Sequence, residues 1–371
     1  MSELYIGLMS ATSLDGVDGV LADFADGQIR VLHHSSATFP PELRAELLAL
    51  NSAGPNELHR AALAGNALAR SYAGVVQALL AHTQASAHSV RAIGAHGQTV
   101  RHRPQEFDDI GYTLQLNQPA LLAELCGIDV VADFRSRDIA AGGQGAPLVP
   151  PFHQAFFGHP DATLAVLNIG GISNITVLDP GSDTPVLGFD CGPGNALMDG
   201  WCHTHTGQAF DDAGQWAASG KVDTGLLATL LSDAFFAKPP PKSTGRDLFN
   251  AAWLAHRLGA FEGLRPQDVQ ATLAELTAQS CAQALRTTTP TCSTLIVCGG
   301  GALNTHLMER LAHHLPDCQV LSSQTKDLPP LQVEATAFAW LARQTCLRQT
   351  ASLPKVTGAQ GARILGAIYP A

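Results

Sequence analysis

The chain has 371 residues, 46% of them hydrophobic and only 15% charged, with a formal charge of −10. That is too long for one simple core and too apolar for disorder, so it predicts a folded protein of two domains. The acidic balance and the lack of a Lys/Arg cluster argue against nucleic acid as a partner, because neutralising phosphates needs a basic face. No run approaches the ~18 apolar residues of a membrane span. Residues 1–8 lack a basic region leading into a long apolar stretch, so they are not read as a signal peptide. The eight cysteines form no C-x-x-C pair, which suits free thiols in a reducing, cytoplasmic compartment.

Residues 4–8 and 17–24 predict a hairpin whose turn carries Ser10, Thr12, Ser13, Asp15, Gly16 and Asp18. Helical spacing follows at 41–51 and 57–82. A strand is expected at 90–95, running into Gly94-Ala95-His96-Gly97. Residues 133–153 break every period; this Gly/Pro stretch carries Arg135 and Arg137 and reads as an inter-domain crossing. A second hairpin is expected from strands at 164–169 and 175–178 around Gly170-Gly171-Ile172-Ser173-Asn174. A strand at 186–189 should end in Asp190, followed by a tight turn to Asn195 and a helix start at 196–202. Helices are expected at 248–258 and 266–286. A strand at 294–297 should enter Cys298-Gly299-Gly300-Gly301, then a helix at 303–315. Another helix is expected at 333–347, before a Gly-punctuated tail. Each half has a hairpin and, later, a strand entering a Gly-rich turn: a weak internal duplication that places the fold in the α/β class.

The hairpin turns combine backbone N–H groups with small side chains, as an anion site needs. Asp15 and Asp18 add acceptors suited to Mg²⁺ or its waters. Each turn alone is equally consistent with an ordinary polar or Gly-rich bend. The C-G-G-G turn matches neither a P-loop nor G-x-G-x-x-G; alone it reads equally as a turn that wraps a nucleotide's base and ribose or as a helix-entry turn. Asp190, at an expected strand end beside Gly-rich loops, suits proton acceptance during phosphoryl transfer; capping the next helix is the competing reading. Cys202-His203-Thr204-His205 with Asp211 and Asp212 fits no standard zinc spacing. The His pairs 33–34 and 313–314 read as surface; Phe338, Trp340 and Leu341 read as core.

Together these motifs resemble the 1,6-anhydro-N-acetylmuramic acid kinases. The resemblance is carried by G-L-M-S-A-T-S-L-D-G-V-D (7–18), A-H-G-Q-T-V-R-H (95–102), D-F-R-S-R-D-I-A-A-G-G-Q-G-A-P-L-V-P (133–150) and N-I-G-G-I-S-N-I-T (168–176). It continues in F-D-C-G-P-G-N-A-L-M-D (189–199), P-K-S-T-G-R-D (241–247), C-G-G-G-A-L-N (298–304) and V-E-A-T-A-F-A-W-L-A (333–342). The resemblance implies an actin/hexokinase/Hsp70-like fold, two α/β domains with a duplicated core around a cleft. We set these at 1–132 plus 354–371 and at 133–353.

It also implies the reaction: ATP and water convert 1,6-anhydro-N-acetylmuramic acid to N-acetylmuramic acid 6-phosphate, in recycling of cell-wall peptidoglycan. By motif match Asp190 is the general base. Ala11, Thr12, Ser13, Leu14, Asp15, Gly16, Val17 and Asp18 would bind ATP phosphates. Gly170, Gly171, Asn174, Gly299, Gly300 and Gly301 would complete the nucleotide site, and Asp15 and Asp18 would meet Mg²⁺ through water. His96, Arg135 and Glu334 are the sugar candidates, Arg135 suiting the lactyl carboxylate. A homodimer is also implied. Ala11, where the family normally has Gly, and Cys191, where Thr is common, depart from the pattern. They are the only support for one rival, a non-catalytic sugar and nucleotide sensor; a second rival is a phosphoanhydride phosphatase on the same fold, with Asp190 aiming water at phosphorus.

Overall fold

Apolar residues lead into and out of the first polar turn, and they form the expected hairpin: Leu4–Met9 (β1) pairs antiparallel with Gly16–Asp23 (β2). The structure is a computed structural model and describes residues 2–10, 14–183, 185–240, 242–245 and 248–371. Ala11, Thr12 and Ser13 lie outside the described residues.

Arg30–Thr38 (β3), Val90–Ala95 (β4) and Val130–Ala132 (β7) join the hairpin, and Ala367–Tyr369 (β13) closes the far edge. The six-stranded order is β13-β7-β4-β1-β2-β3, with β1, β4 and β7 parallel. Gln98–Pro104 (β5) and Gly111–Leu116 (β6) make a separate two-stranded sheet. The second sheet contains Leu164–Ile169 (β8), Ile172–Leu178 (β9), Val186–Pro193 (β10), Thr294–Cys298 (β11) and Gln319–Ser322 (β12). Its order is β10-β9-β8-β11-β12, again an antiparallel meander followed by two parallel strands. The duplication read from the sequence is therefore a repeated topology.

Period-2 alternation in β1 and β2 sends side chains to two cores. Ile6, Leu8, Val17 and Leu21 meet Leu68, Tyr72, Val76 and Leu79 of the helix Glu57–Thr83. Tyr5, Val20 and Ala22 meet Ala335, Phe338 and Ala339 of the helix Val333–Cys346 on the other face. That second helix lies directly on the strands. A Cβ at Gly7 would fall 1.8 Å from the Ala335 carbonyl oxygen, and one at Gly94 would fall 2.1 Å from that of Phe338.

This packing moves the division of the chain. The compact units are Met1–Phe156 with Gln332–Ala371, and Phe157–Leu331, in place of boundaries at 132/133 and 353/354. Residues 133–156 and the helix Val333–Cys346 belong with the first sheet, because that helix supplies one of its two hydrophobic faces. In the second unit the helix Pro266–Thr288 is buried along most of its length against Leu167, Ile169, Ile175, Val177 and Phe189.

Other departures are local. The stretch 133–153 contains the short helix Ser136–Ile139 and the start of the helix Pro150–Phe157. The helix expected from 248 begins at Ala251, because the Asn250 side chain accepts from Trp253 N–H at 3.0 Å and caps it. The His pairs are not plain surface residues. His33 stacks on His82 at 3.6 Å, and His314 lies 2.7 Å from the buried Glu275 carboxylate, which Arg310 also grips. Phe338 and Leu341 are core, with Trp340 packed against them. All eight cysteines are free. No helix among the described residues is long and apolar enough to cross a membrane.

Candidate active site

The second unit assembles its polar groups along one row of paired strands. Asp190 of β10 lies opposite Asn174 of β9, Asn174 opposite Asn168 of β8, and Asn168 opposite Cys298 of β11. Directly paired residues share a face, so Asp190, Asn174 and Asn168 point the same way. Their neighbours Phe189, Ile175 and Leu167 point into the core on the opposite face. Asn168 was missed in the sequence reading: it sits inside an apolar strand, and only the register reveals that it faces Asn174.

Asp190 is not at a strand end. β10 continues to Pro193, and its register with β9 shifts between Asp190 and Gly192, where Gly192 has φ +142°. This bulge re-aims the strand at the acid, a device that strings of Gly do not announce in sequence. A separate segment holds Asp190 from outside the sheet. Thr244 N–H donates to Asp190 Oδ2 at 2.8 Å, and Asp190 N–H donates to the Lys242 carbonyl at 3.0 Å. The P-K-S-T-G-R-D motif thus works as a clamp on the acid; Pro241, Arg246 and Asp247 lie outside the described residues. Lys242 is itself drawn away, donating to the Phe235 and Phe236 carbonyls at 3.3 Å each. Burial pushes the Asp190 carboxyl up to about 6, against the Thr244 N–H and the Lys242 charge, which favour the carboxylate. A half-buried acid with one strong backbone donor and a carboxyl raised to about 6 is poised to take a proton.

The turn Gly170–Gly171 lies at the end of β8 and is braced from behind. Asn195 N–H donates to the Gly170 carbonyl at 2.8 Å, Gly194 N–H to that of Gly171 at 3.0 Å, and Asn195 Nδ2 to that of Ile169 at 3.1 Å. Asn195 therefore braces the turn as well as opening the helix Asn195–Thr206. The glycines after β11 divide by role. A Cβ at Gly299 would meet Asn168 Oδ1 at 2.4 Å and one at Gly301 would meet Ile169 Cγ2 at 2.3 Å, so both glycines allow β8 to approach. Gly300 is exposed. The next helix starts only at Thr305, and the Asn304 side chain already caps it through Leu307 N–H at 3.0 Å.

The Cys191 thiol lies on the core face, next to Cys281 and opposite the Asp190 carboxyl; burial pushes its pKa well up. It is not a donor beside the acid. Cys202 is core, and Asp211 accepts from Trp216 and Ala217 N–H at 2.9 Å each. Among the described residues no three His, Cys, Asp or Glu side chains gather to hold a metal directly.

The first unit brings His96, Arg135 and Glu334 together from the ends of β4 and β7 and from the helix Val333–Cys346. Arg135 Nη2 donates to His96 Nε2 at 2.8 Å, and Nη1 donates to the Gly145 carbonyl at 2.7 Å. Arg135 Nε is buried and has no partner among the described residues, which leaves a guanidinium edge for an anion. Since Arg135 must donate, His96 is neutral with its proton on Nδ1. Burial and the Arg135 charge hold its pKa well below the ordinary imidazole value. Burial lowers Arg135 to about 10, still a cation at neutral pH. Glu334 is pushed up to about 6 by burial and by Asp18, against the pull of Arg135.

The rest of the first hairpin is mixed. Leu14 (φ +60°) and Val17 bury their side chains in the core, leaving only backbone for a ligand. A Cβ at Gly16 would meet the Ala37 carbonyl oxygen at 2.1 Å, so β3 alone demands this glycine. Asp15 is exposed. Asp18 is 45% exposed, with its Oδ1 3.0 Å from His34 Nε2. Two accessible carboxylates without a third ligand fit a cation held through its water shell.

A family model described as anhydro-N-acetylmuramic acid kinase matches residues 3–371. The anhydro-N-acetylmuramic acid kinase of Variovorax paradoxus is 65% identical over 373 residues, covering 100% of this chain and 99% of that protein. That of Albidiferax ferrireducens is 64% identical over 389 residues, covering 100% of both. Among solved structures, the activator of the 2-hydroxyisocaproyl-CoA dehydratase from Clostridium difficile with bound ADPNP matches with TM-score 0.51 at 11% identity, covering 94% of this chain and 96% of that one. That likeness shows the fold alone, the actin/hexokinase/Hsp70-like α/β ATPase fold with two mixed sheets. On the full-length family match and these identities, the chain belongs to the anhydro-N-acetylmuramic acid kinase family.

Proposed function

We propose that this protein is an ATP-dependent kinase that hydrolytically opens 1,6-anhydro-N-acetylmuramic acid and phosphorylates its O6. The products are N-acetylmuramic acid 6-phosphate and ADP, and the role is peptidoglycan recycling. The observation that carries the reading is Asp190: a half-buried acid, raised to about 6, on one strand row with Asn174 and Asn168 and near the braced Gly170–Gly171 turn.

In this reading Asp190 takes a proton from water as the water oxygen attacks the anomeric carbon. The C1–O6 bond breaks, O6 bonds to the γ-phosphorus, and the bond from that phosphorus to the β–γ bridging oxygen breaks to release ADP. Ring opening thereby creates the nucleophile. Residues 11–18, Gly170, Gly171, Asn174 and Gly299–Gly301 line the phosphates and nucleotide, Gly300 by its exposed backbone and Gly299 and Gly301 by shaping the turn. Asp15 and Asp18 would hold Mg²⁺ through its waters, and the ion would supply charge neutralisation at the phosphates. Arg135 holds the lactyl carboxylate, oriented by His96, and Glu334 meets the sugar hydroxyls. The protein works as a cytoplasmic homodimer, a proposal supported by the family likeness.

The test is ADP formation by the purified protein with Mg-ATP, with and without the anhydrosugar, and the product mass. The reading expects sugar-dependent ADP and a product heavier than the substrate by water plus a phosphoryl group. ADP formed equally without sugar would contradict it.

A further inference from the structure

The G-G-Q-G run in residues 142–145 looks like one more anion loop, yet the structure gives it another task. It wraps around a carboxyl group. Asp138 is fully buried, at 0% exposure, in the short helix Ser136–Ile139. Its Oδ2 accepts from Gly145 N–H at 2.8 Å, and its Oδ1 accepts from the Thr357 hydroxyl at 2.8 Å. A Cβ at Gly143 would fall 2.2 Å from Asp138 Oδ2, so the loop closes on the acid only with glycine there. The tail segment reinforces the collar: Gln144 N–H donates to the Thr357 carbonyl at 2.8 Å, and Gln360 N–H to that of Ala141 at 2.9 Å.

The residue that Asp138 fixes is the one Arg135 uses. Gly145 gives its N–H to Asp138 and its carbonyl to Arg135 Nη1 at 2.7 Å, and Arg135 Nη2 goes on to His96 at 2.8 Å. An Arg side chain has much rotamer entropy to lose, so an anion site needs it anchored before the ligand arrives. We propose that Asp138 and Thr357 are positioning residues for the sugar site: through the Gly145 backbone they set the Arg135 guanidinium that selects the lactyl carboxylate. This rests on the reading of Arg135 given above. It makes the tail around Thr357 part of substrate selection, although no motif there suggested it.

The test is the ratio of kcat/KM for 1,6-anhydro-N-acetylmuramic acid to that for 1,6-anhydro-N-acetylglucosamine, which lacks the lactyl group. Arg135→Gln reports on the underlying reading and should bring the ratio close to one. Thr357→Val removes only the hydroxyl donor and keeps the carbonyl that Gln144 uses. It should lower the ratio about five- to tenfold, the size of one lost hydrogen bond. KM for ATP should stay put, and Thr357→Ser should restore the ratio. In the Arg135→Gln background, Thr357→Val should have no further effect on it. Two results overturn the positioning role while leaving Arg135 intact: Thr357→Val lowering Tm with the ratio unchanged, or lowering both sugars equally. An unchanged ratio in Arg135→Gln overturns the reading of Arg135 and the positioning role with it.

Discussion

Where the second unit carries Asp190, the first carries Ser35 at the matching register position. Counting back from the strand ends, the row Ala95–Leu8–Gly19–Ser35 corresponds to Cys298–Asn168–Asn174–Asp190. The strand order is the same and the chemistry is not. In the first unit this row is packed by the helix Glu57–Thr83, to the point that a Cβ at Gly19 would fall 2.4 Å from Val75 Cγ1. At Gly19 a side chain has no place, and the only polar group in the row, Ser35, sits half-buried on the edge strand. That unit instead takes its polar groups from beyond the strands: His96 after β4, Arg135 after β7 and Glu334 from the covering helix. One topology thus yields an acid on a strand in one unit and a cation–imidazole–acid group on loops and a helix in the other. Under the proposed function, the strands set the base rigidly and the loops hold the groups that would recognise the sugar.

The largest effect separating the two should come from the base. Asp190→Asn keeps an acceptor for Thr244 N–H and removes the proton acceptor, so kcat should fall about 10³-fold while sugar binding, measured calorimetrically, persists. Loss of sugar binding with kcat retained would exchange the roles of the two units. The pH profile sharpens the same point. A base works deprotonated, so with Asp190 raised to about 6, kcat/KM should fall about tenfold per pH unit below that value. Glu334 is raised to about 6 as well. If the acid limb survives in Asp190→Asn and disappears in Glu334→Gln, the base lies in the first unit.

Glycine substitutions test packing against binding. Gly94→Ala forces the helix Val333–Cys346 outward and should cost about 1–3 kcal/mol of stability in urea unfolding. Gly300→Ala, whose Cβ would meet only Asn195 Nδ2 at 3.3 Å, should leave stability nearly unchanged and raise KM for ATP. The smallest effect is at Cys191. Its thiol faces the core, so Cys191→Ala should cost about 1 kcal/mol of stability and change kcat/KM less than about twofold.

Much of this was legible because the signals are local. Alternation and turn residues predicted both hairpins, and helical spacing predicted the long helices at 57–82 and 266–286. The bulge at Asp190 was not legible, since it depends on how β10 pairs with β9, and β10 therefore read as ending early. Asn168 was missed for the same reason: its importance is its register partner. Gly16, Gly299 and Gly301 were expected at the nucleotide site, and neighbouring backbone or side chains also require glycine there, a second reason that a sequence cannot show. The unit boundary moved because the helix Val333–Cys346 follows the second sheet in sequence and packs on the first in space.

The most direct measurement follows the water. Turnover of 1,6-anhydro-N-acetylmuramic acid with Mg-ATP in ¹⁸O-water, read by mass spectrometry, should place the label on the C1 oxygen of the sugar phosphate and none in phosphate. Asp190→Asn should lose that product. Label in free phosphate would mean that water attacks phosphorus, and that Asp190 serves a phosphoanhydride hydrolase and not a ring-opening kinase.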